Sequence, residues 1–195
     1  MNAVGLEPVI TAEDLLSMPD GKDFELVDGN LVERNMSVLS SWVGGQIFRR
    51  LDEFASTNDL GTVWPADNGY QCFPDDPRMV RRADAAFVQK GRLSAEDMKS
   101  GFLKVVPDLV VEVISPNDLA HEVERKVSEY LAAGVRLIWI IEPESRTLRV
   151  QRADGSGSLL KGDAVISGES VVPGFEVPLR VIFPPVGTDR KDAPK

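Results

Sequence analysis

The chain is poor in the residues that build thiol or imidazole sites. Its 195 residues include one cysteine, Cys72, and one histidine, His121. A single cysteine excludes an internal disulfide and a thiol-based zinc cluster, which favours a reducing compartment. A single histidine excludes histidine-rich metal sites and any Ser-His-Asp triad that does not use His121. Any chemistry must therefore depend on carboxylates, lysine, arginine and tyrosine.

Positive charge and long apolar runs are also scarce. Asp and Glu outnumber Lys and Arg by 31 to 22, giving a formal net charge of −9. This excess argues against broad electrostatic coating of nucleic acid, although a local basic groove is compatible with it. No stretch of roughly 18 residues is apolar without a charge, and the N-terminus has no signal-peptide pattern. We therefore expect a soluble, cytoplasmic protein with no membrane association.

The length and the 43% hydrophobic content fit one domain with a substantial core. We expect that domain to span residues 1–183 and a flexible tail to span residues 184–195. No internal repeat or interdomain linker is evident.

Periodicity predicts an alternating series of helices and strands. Helices are predicted at 12–18, 41–55, 94–99 and from the Asn117-Asp118 cap to Ala133, with Gly134 as the stop. An N-terminal hairpin is predicted from strands 23–28 and 30–35 around Asp28-Gly29. Further strands are predicted at 61–66, 70–73, 80–88, 107–115, 136–142 and 145–152, followed by edge strands from VIS and FEVPLRVIF. The strand-helix-strand order in the second half predicts a mixed α/β sheet with a right-handed crossover.

Gly44 and Gly45 lie inside the second predicted helix. Each would cost the helix roughly 1 kcal/mol relative to alanine. The pair therefore predicts either a later helix start or a close approach of another backbone.

Two acidic residues stand in apolar strand segments. Glu112 lies inside DLVVEVI, and Asp84 directly precedes AAFV. A buried carboxylate is costly unless a metal, a cation or hydrogen bonds compensate it. On the following helix, Lys126 falls on the apolar stripe between Leu119 and Tyr130, so it should point toward the sheet. Two carboxylates and a lysine can hold a divalent cation and stabilise charge on a phosphate.

The same residues admit structural interpretations. Lys126 could form an ion pair with Glu112 or Glu122 and have no other role. We expect Cys72 to be a small strand residue rather than a nucleophile, and His121 to be solvated or structural.

Five segments together resemble a known family. They are FELVDGNLVE, RRADAAFV, PDLVVEVISPND, RKVSEYLAAGVRLIWIIEP and LRVQR. They are similar to the successive motifs of the Uma-type family of restriction endonucleases, within the PD-(D/E)XK nuclease superfamily, over residues 10–180. The resemblance implies a restriction-endonuclease-like α/β (α+β) fold, a mixed β-sheet flanked by helices, with a Mg²⁺ or Mn²⁺ site at one end.

The resemblance also implies roles for individual residues. Asp84 matches the first metal-binding acid, and Glu112 matches the acid of the E-x-K element. Ile114 occupies the usual lysine position, and Lys126 matches the lysine that this family carries on the next helix. The carbonyl of Val113 would join the two acids as a metal ligand.

Other positions are expected to assist. Glu25 is implied as an auxiliary acid, and Tyr130 could hydrogen-bond into the cluster, although core packing is its expected role. Arg81 and Arg82, just before the first acid, could contact phosphate or could lie on a solvated face. Many relatives carry a histidine before the first long helix, where this chain reads SVLSSW (37–42).

The implied function is a Mg²⁺-dependent endonuclease that hydrolyses phosphodiester bonds of nucleic acid, with DNA as the expected polymer. Two alternatives stay open: a catalytically silent binding or assembly module on the same fold, and a small-molecule phosphodiesterase. The net charge and the missing histidine favour the silent module. A homodimer is expected from the exposed β-edges and from the symmetry of enzymes that cut both strands.

Overall fold

Three α-helices, ten β-strands and three short 3-10 helices form the regular structure of residues 9–185, the part of the chain that the computed structural model describes. The helices are α1 (Ala12–Ser17), α2 (Val38–Thr57) and α3 (Ala120–Ala133). The strands are β1 (Phe24–Val27), β2 (Asn30–Glu33), β3 (Gly61–Pro65), β4 (Ala85–Gln89), β5 (Leu109–Val113), β6 (Leu137–Glu142), β7 (Thr147–Arg152), β8 (Gly157–Leu160), β9 (Val165–Ser167) and β10 (Glu176–Pro178).

Six strands form one mixed sheet in the order β3-β4-β5-β6-β7-β8. Strands β5 and β6 are parallel, with α3 as the crossover between them, and every other neighbouring pair is antiparallel. Strands β1 and β2 form a separate hairpin, as do β9 and β10. The predicted mixed sheet flanked by helices is confirmed.

The two faces of the sheet carry separate apolar cores. One face packs against α2 and the C-terminal segments, through odd-numbered residues of β4, β5 and β6 such as Val111 and Trp139. The opposite face packs against α3, through even-numbered residues such as Val110 and Ile138. Side chains alternate along a strand, so Glu112 belongs to the face that α3 covers. This parity lets a residue of α3 reach Glu112.

The predicted helices differ from the structure mainly at their starts. Helix α2 begins at Val38, because Ser37 and Ser40 form a capping box there, and it runs through the two glycines. The predicted cap at Asn117-Asp118 is wrong: the N-cap is Leu119, and Asp118 accepts the N–H of Ser115 instead. The stop at Gly134 is confirmed. The helix predicted at 94–99 is one 3-10 turn, Asp97–Lys99.

Several strand predictions need correction. The hairpin around Asp28-Gly29 is confirmed, with positive φ at both residues. Segment 70–73 is not a strand, since only Tyr70 forms isolated bridges. The strand predicted at 80–88 begins at Ala85, and β8 was not predicted. The C-terminal strands are short and pair with each other, outside the main sheet.

The tail predicted for 184–195 lies beyond the described residues from position 186 onward. Within residues 9–185, none of the helices combines the length and the apolar character needed to cross a bilayer.

Candidate functional site

Four elements converge on one cleft. Strand β1 contributes Glu25, the residue before β4 is Asp84, strand β5 contributes Glu112, and helix α3 contributes Lys126. All four residues were singled out from the sequence. The structure brings them together.

Lys126 is the centre of this cluster. Its Nζ lies 2.9 Å from Glu112 Oε2, 2.9 Å from Glu25 Oε1 and 2.7 Å from the carbonyl oxygen of Arg82. Burial opposes the charge on this ammonium, but Glu112 and Glu25 outweigh it and raise the pKa of Lys126. The expectation that Lys126 points toward the sheet is therefore confirmed, whereas its pairing with Glu122 is not seen.

Asp84 is held at the end of the β4–β5 ladder. Its Oδ2 accepts the backbone N–H of Val113 at 2.6 Å, and its Oδ1 lies 3.8 Å from Arg34 Nη2. Burial raises the pKa of Asp84, although Lys126 and the hydrogen bond from Val113 act in the opposite direction. This geometry fixes Asp84 next to the strand that carries Glu112. The role of the Val113 carbonyl as a ligand stays a prediction.

Among the described residues, only one of the two carboxylate oxygens of Glu112 has a hydrogen-bond partner. Oε2 pairs with Lys126, whereas the buried Oε1 makes no hydrogen bond within residues 9–185. Burial raises the pKa of Glu112 to about 7, against the attraction of Lys126. A buried acceptor without a partner is costly, and a divalent cation is a group that would relieve this cost.

The donor set fits a hard cation. Asp84 and Glu112 supply the carboxylate oxygens that Mg²⁺ and Mn²⁺ prefer, and Mg²⁺ commonly uses only one or two carboxylates together with water. Within residues 9–185, no group of three His, Cys, Asp or Glu side chains is positioned to share a metal. Such a cation would therefore be held by these two acids, with substrate or water completing its shell.

Glu25 supports the lysine from the opposite side. Its Oε1 lies 2.9 Å from Lys126 Nζ and 2.6 Å from the N–H of Arg82, and its Oε2 lies 2.8 Å from Arg81 Nη1. Burial would raise the pKa of Glu25, but Lys126 and Arg81 lower it to about 2. Glu25 is thus an ionised anchor of the cluster.

The two adjacent arginines are occupied by protein partners. Arg81 bridges Glu25 and Glu129, while Arg82 donates to the carbonyls of Phe24, Asp67 and Gly21. Both are buried, so neither lies on a solvated face. The predicted contact with phosphate stays a prediction, and phosphate would have to compete with these partners.

Three further side chains were considered from the sequence: Tyr130, His121 and Cys72. Tyr130 is buried in the α3 core, and its hydroxyl has no hydrogen-bond partner among the described residues. His121 is exposed in the first turn of α3. Cys72 lies in a loop rather than a strand, and burial raises the pKa of its thiol to about 12, which does not suit a nucleophile.

Sequence reasoning missed two features of the site. Arg34 lines the cleft, but no local pattern marks an arginine after a hairpin as part of a site. In segment 37–42, where the resemblance implies a histidine in relatives, Ser40 Oγ lies 2.8 Å from Ser115 Oγ at the end of β5. Ser37 also donates its N–H to Ser115 Oγ. Serines therefore tie α2 to the sheet at that position.

Comparison with known proteins identifies the family and the fold. The family model Uma2, described as "Putative restriction endonuclease", matches residues 12–181. A crystal structure described as a "putative nuclease belonging to DUF820", from Anabaena variabilis, superposes with a TM-score of 0.77 at 17% identity. That likeness covers 89% of this chain and 97% of the other and shows a shared fold. None of the curated proteins compared with the chain matches it. Because the family match spans most of the sequence, the chain belongs to the Uma2 family of restriction-endonuclease-like proteins.

Proposed function

We propose that the protein is a metal-dependent nuclease that hydrolyses phosphodiester bonds in DNA. The observation that carries the proposal is the buried group of Asp84, Glu112 and Lys126, in which Glu112 Oε1 has no partner among the described residues. A buried carboxylate oxygen without a hydrogen-bond partner is costly, and a bound cation would offset that cost. Family membership supports a nucleic-acid substrate, and the name restriction endonuclease supports DNA.

Each residue has a definite task in this proposal. Asp84 and Glu112 would hold Mg²⁺ or Mn²⁺, with the Val113 carbonyl as a further ligand. When bound, the cation would polarise the phosphate and lower the pKa of a bound water. The Lys126 ammonium, held beside Glu112, would orient the attacking water or offset negative charge on the phosphate. Glu25 would keep Lys126 in place by its ion pair.

The test compares two buried acids, Glu112 within β5 and Asp108 directly before it. Glu112→Gln removes a proposed metal ligand, whereas Asp108→Asn removes a carboxylate that pairs with Arg92 and Arg136, outside the cleft. We expect Glu112→Gln to lower Mg²⁺-dependent cleavage of labelled DNA roughly 100-fold or more. The Asp108→Asn protein, assayed where it is folded, should keep its cleavage rate.

The substrate panel should contain single- and double-stranded DNA, RNA and small phosphodiesters. Cleavage of RNA or of a small diester alone would contradict the choice of DNA. Equal cleavage by wild type and Glu112→Gln would remove Glu112 from the mechanism. Absence of cleavage by the folded wild type, together with absence of Mg²⁺ or Mn²⁺ binding, would favour the silent binding module.

Assembly and location stay predictions. The edge strand β8 carries Leu159, which is 61% exposed, and an exposed apolar strand edge supports the proposed homodimer. The proposed cytoplasmic location is supported by the cysteine content alone.

A further inference from the structure

Arg34 lines the cleft beside Asp84, and its guanidinium is available for hydrogen bonds to a ligand. Its backbone N–H donates to the Asp23 carbonyl at 2.9 Å, which fixes the chain after β2. The side chain is 11% exposed, and its nearest ion-pair contact, Asp84 Oδ1, is 3.8 Å from Nη2. Within residues 9–185, the guanidinium makes no hydrogen bond with the protein. A guanidinium carries five N–H donors, so the Arg34 side chain can donate to a ligand that has several acceptor oxygens.

The other four cationic side chains that line the cleft already form hydrogen bonds with the protein. They donate to protein oxygens at distances between 2.6 and 3.2 Å, and they are Arg81, Arg82, Arg125 and Lys126. Among the described residues that line the cleft, Arg34 is therefore the cation that can bind a new anion without breaking a hydrogen bond to the protein.

The shape of the Arg34 side chain favours phosphate as that anion. The planar fork of a guanidinium matches two oxygens of a phosphate.

We infer that Arg34 binds the non-bridging oxygens of a DNA phosphate in the cleft and so positions the phosphodiester against Asp84 and Glu112. This inference rests on the proposed function, because it takes the DNA backbone as the ligand. Arg34 thereby supplies the phosphate contact that was expected of Arg81 and Arg82.

The experiment measures DNA binding apart from cleavage. The probe is a fluorescein-labelled DNA duplex, and its anisotropy is followed in EDTA over a range of NaCl concentrations. Arg34→Gln is compared with Arg49→Gln, which removes the same charge from an exposed position of α2 outside the cleft. We expect Arg34→Gln to weaken binding roughly tenfold or more relative to Arg49→Gln. It should also reduce the slope of log K against log salt by about 1.

A second variant covers the case in which Arg34→Gln does not fold. Arg34→Lys keeps the charge but loses the planar fork, so we expect the wild-type salt slope with several-fold weaker binding. Wild-type affinity in Arg34→Lys would overturn the bidentate contact. Equal affinity and slope in Arg34→Gln and Arg49→Gln would overturn the inference as a whole.

Cleavage in Mg²⁺ separates this inference from the proposed function. If the wild type cuts DNA and Arg34→Gln binds and cuts like Arg49→Gln, the inference alone fails. If the wild type does not cut DNA but Arg34→Gln still loses tenfold in affinity, the phosphate contact stands and the nuclease proposal fails.

Discussion

Glu25 shows how a buried carboxylate is made tolerable in this protein. It is 5% exposed, and both of its oxygens contact cations or a backbone N–H. Removing water from a charge costs several kcal/mol, and only such complete pairing offsets that cost. Glu112 is buried to a similar degree, but one of its oxygens is free. The contrast separates an anchor, Glu25, from the acid that we propose as a metal ligand, Glu112.

The pH dependence of stability should reveal the Glu25 anchor. Its pKa is lowered from 4.5 to about 2, so its contribution is complete above about 4.5 and is lost as the pH falls toward 2. A shift of this size corresponds to about 3 kcal/mol. We expect Glu25→Gln to be less stable than wild type at neutral pH, and the difference to shrink between pH 4.5 and 2. Urea unfolding across this range measures it.

Glu33→Gln is the matched control, because Glu33 is exposed on the neighbouring strand β2. Because its side chain is exposed, this substitution should change the free energy of unfolding by less than about 0.5 kcal/mol. A difference for Glu25→Gln that does not shrink between pH 4.5 and 2 would contradict the anchoring role.

At the residue scale, the sequence identified those members of the cluster whose charge stands out from an apolar periodic pattern. Glu112 and Asp84 are recognisable as charges in apolar strand segments, and Lys126 as a charge on an apolar helix stripe. Arg34 could not be found in this way, because its place depends on how the hairpin docks on the sheet. The ion pairs and hydrogen bonds of Arg81 and Arg82 also could not be predicted, because their partners come from other parts of the fold.

At the element scale, helix α2 combines a strong start with two weak positions. The capping box at Ser37 and Ser40 begins the helix three residues before the predicted start at 41. A Cβ added at Gly44 would lie 3.7 Å from Asp84 Cβ, an ordinary contact distance, and one added at Gly45 would meet nothing within 4 Å. Neither glycine is required by a close backbone approach, so both parts of the sequence-based expectation for this pair are wrong.

Replacing Gly45 should therefore stabilise the protein. Alanine in a helix interior is favoured over glycine by up to about 1 kcal/mol, and the site offers free space. We expect Gly45→Ala to increase the free energy of unfolding by roughly 0.5 to 1 kcal/mol. Chemical denaturation checks this value.

Gly134→Ala provides the opposite case within the same protein. Gly134 has φ of 104° at the end of α3, a conformation that strains alanine. We expect this variant to be destabilised by about 1 kcal/mol. Two glycine substitutions that change stability in the same direction would contradict this distinction.

Strand boundaries were predicted less well than helix faces. In the segment predicted at 80–88, Val80 bridges to Leu26 and Arg81 bridges to Tyr70, so its first half leaves the main sheet. Alternation of side chains looks the same in a strand and in an extended segment that contacts other loops. The sequence therefore identified the apolar segment, and tertiary pairing decided where β4 begins.

At the scale of the whole molecule, the C-terminal segment closes the core opposite the site. Phe175 stacks on Trp139 with ring centroids 5.7 Å apart and meets the edge of Phe54 at 5.5 Å. It thus joins the sheet, helix α2 and the β9–β10 hairpin. The Asp84 and Glu112 cleft shares none of these side chains.

Phe175→Ala should therefore lower the stability of the protein without changing the geometry of the site. Loss of a buried aromatic ring leaves a cavity and costs about 3–5 kcal/mol. We expect that loss in urea unfolding, with DNA affinity per folded molecule unchanged. Val38→Ala, which shortens a 91% exposed side chain at the start of α2, should change stability by less than about 0.5 kcal/mol. A decrease of under 1 kcal/mol in Phe175→Ala would show that the C-terminal segment is not part of the main core.

The contacts of Lys126 also bear on how the protein is made. They join an N-terminal hairpin, the residues before β4, strand β5 and helix α3, so no short stretch of chain contains the cluster. During synthesis, Glu25, Asp84 and Glu112 leave the ribosome before the helix that carries the lysine, and long-range contacts form late in folding. A nascent chain consequently holds only separated acids. The cell meets the assembled cluster only after α3 has packed on the sheet, which couples the appearance of any activity to the completion of folding.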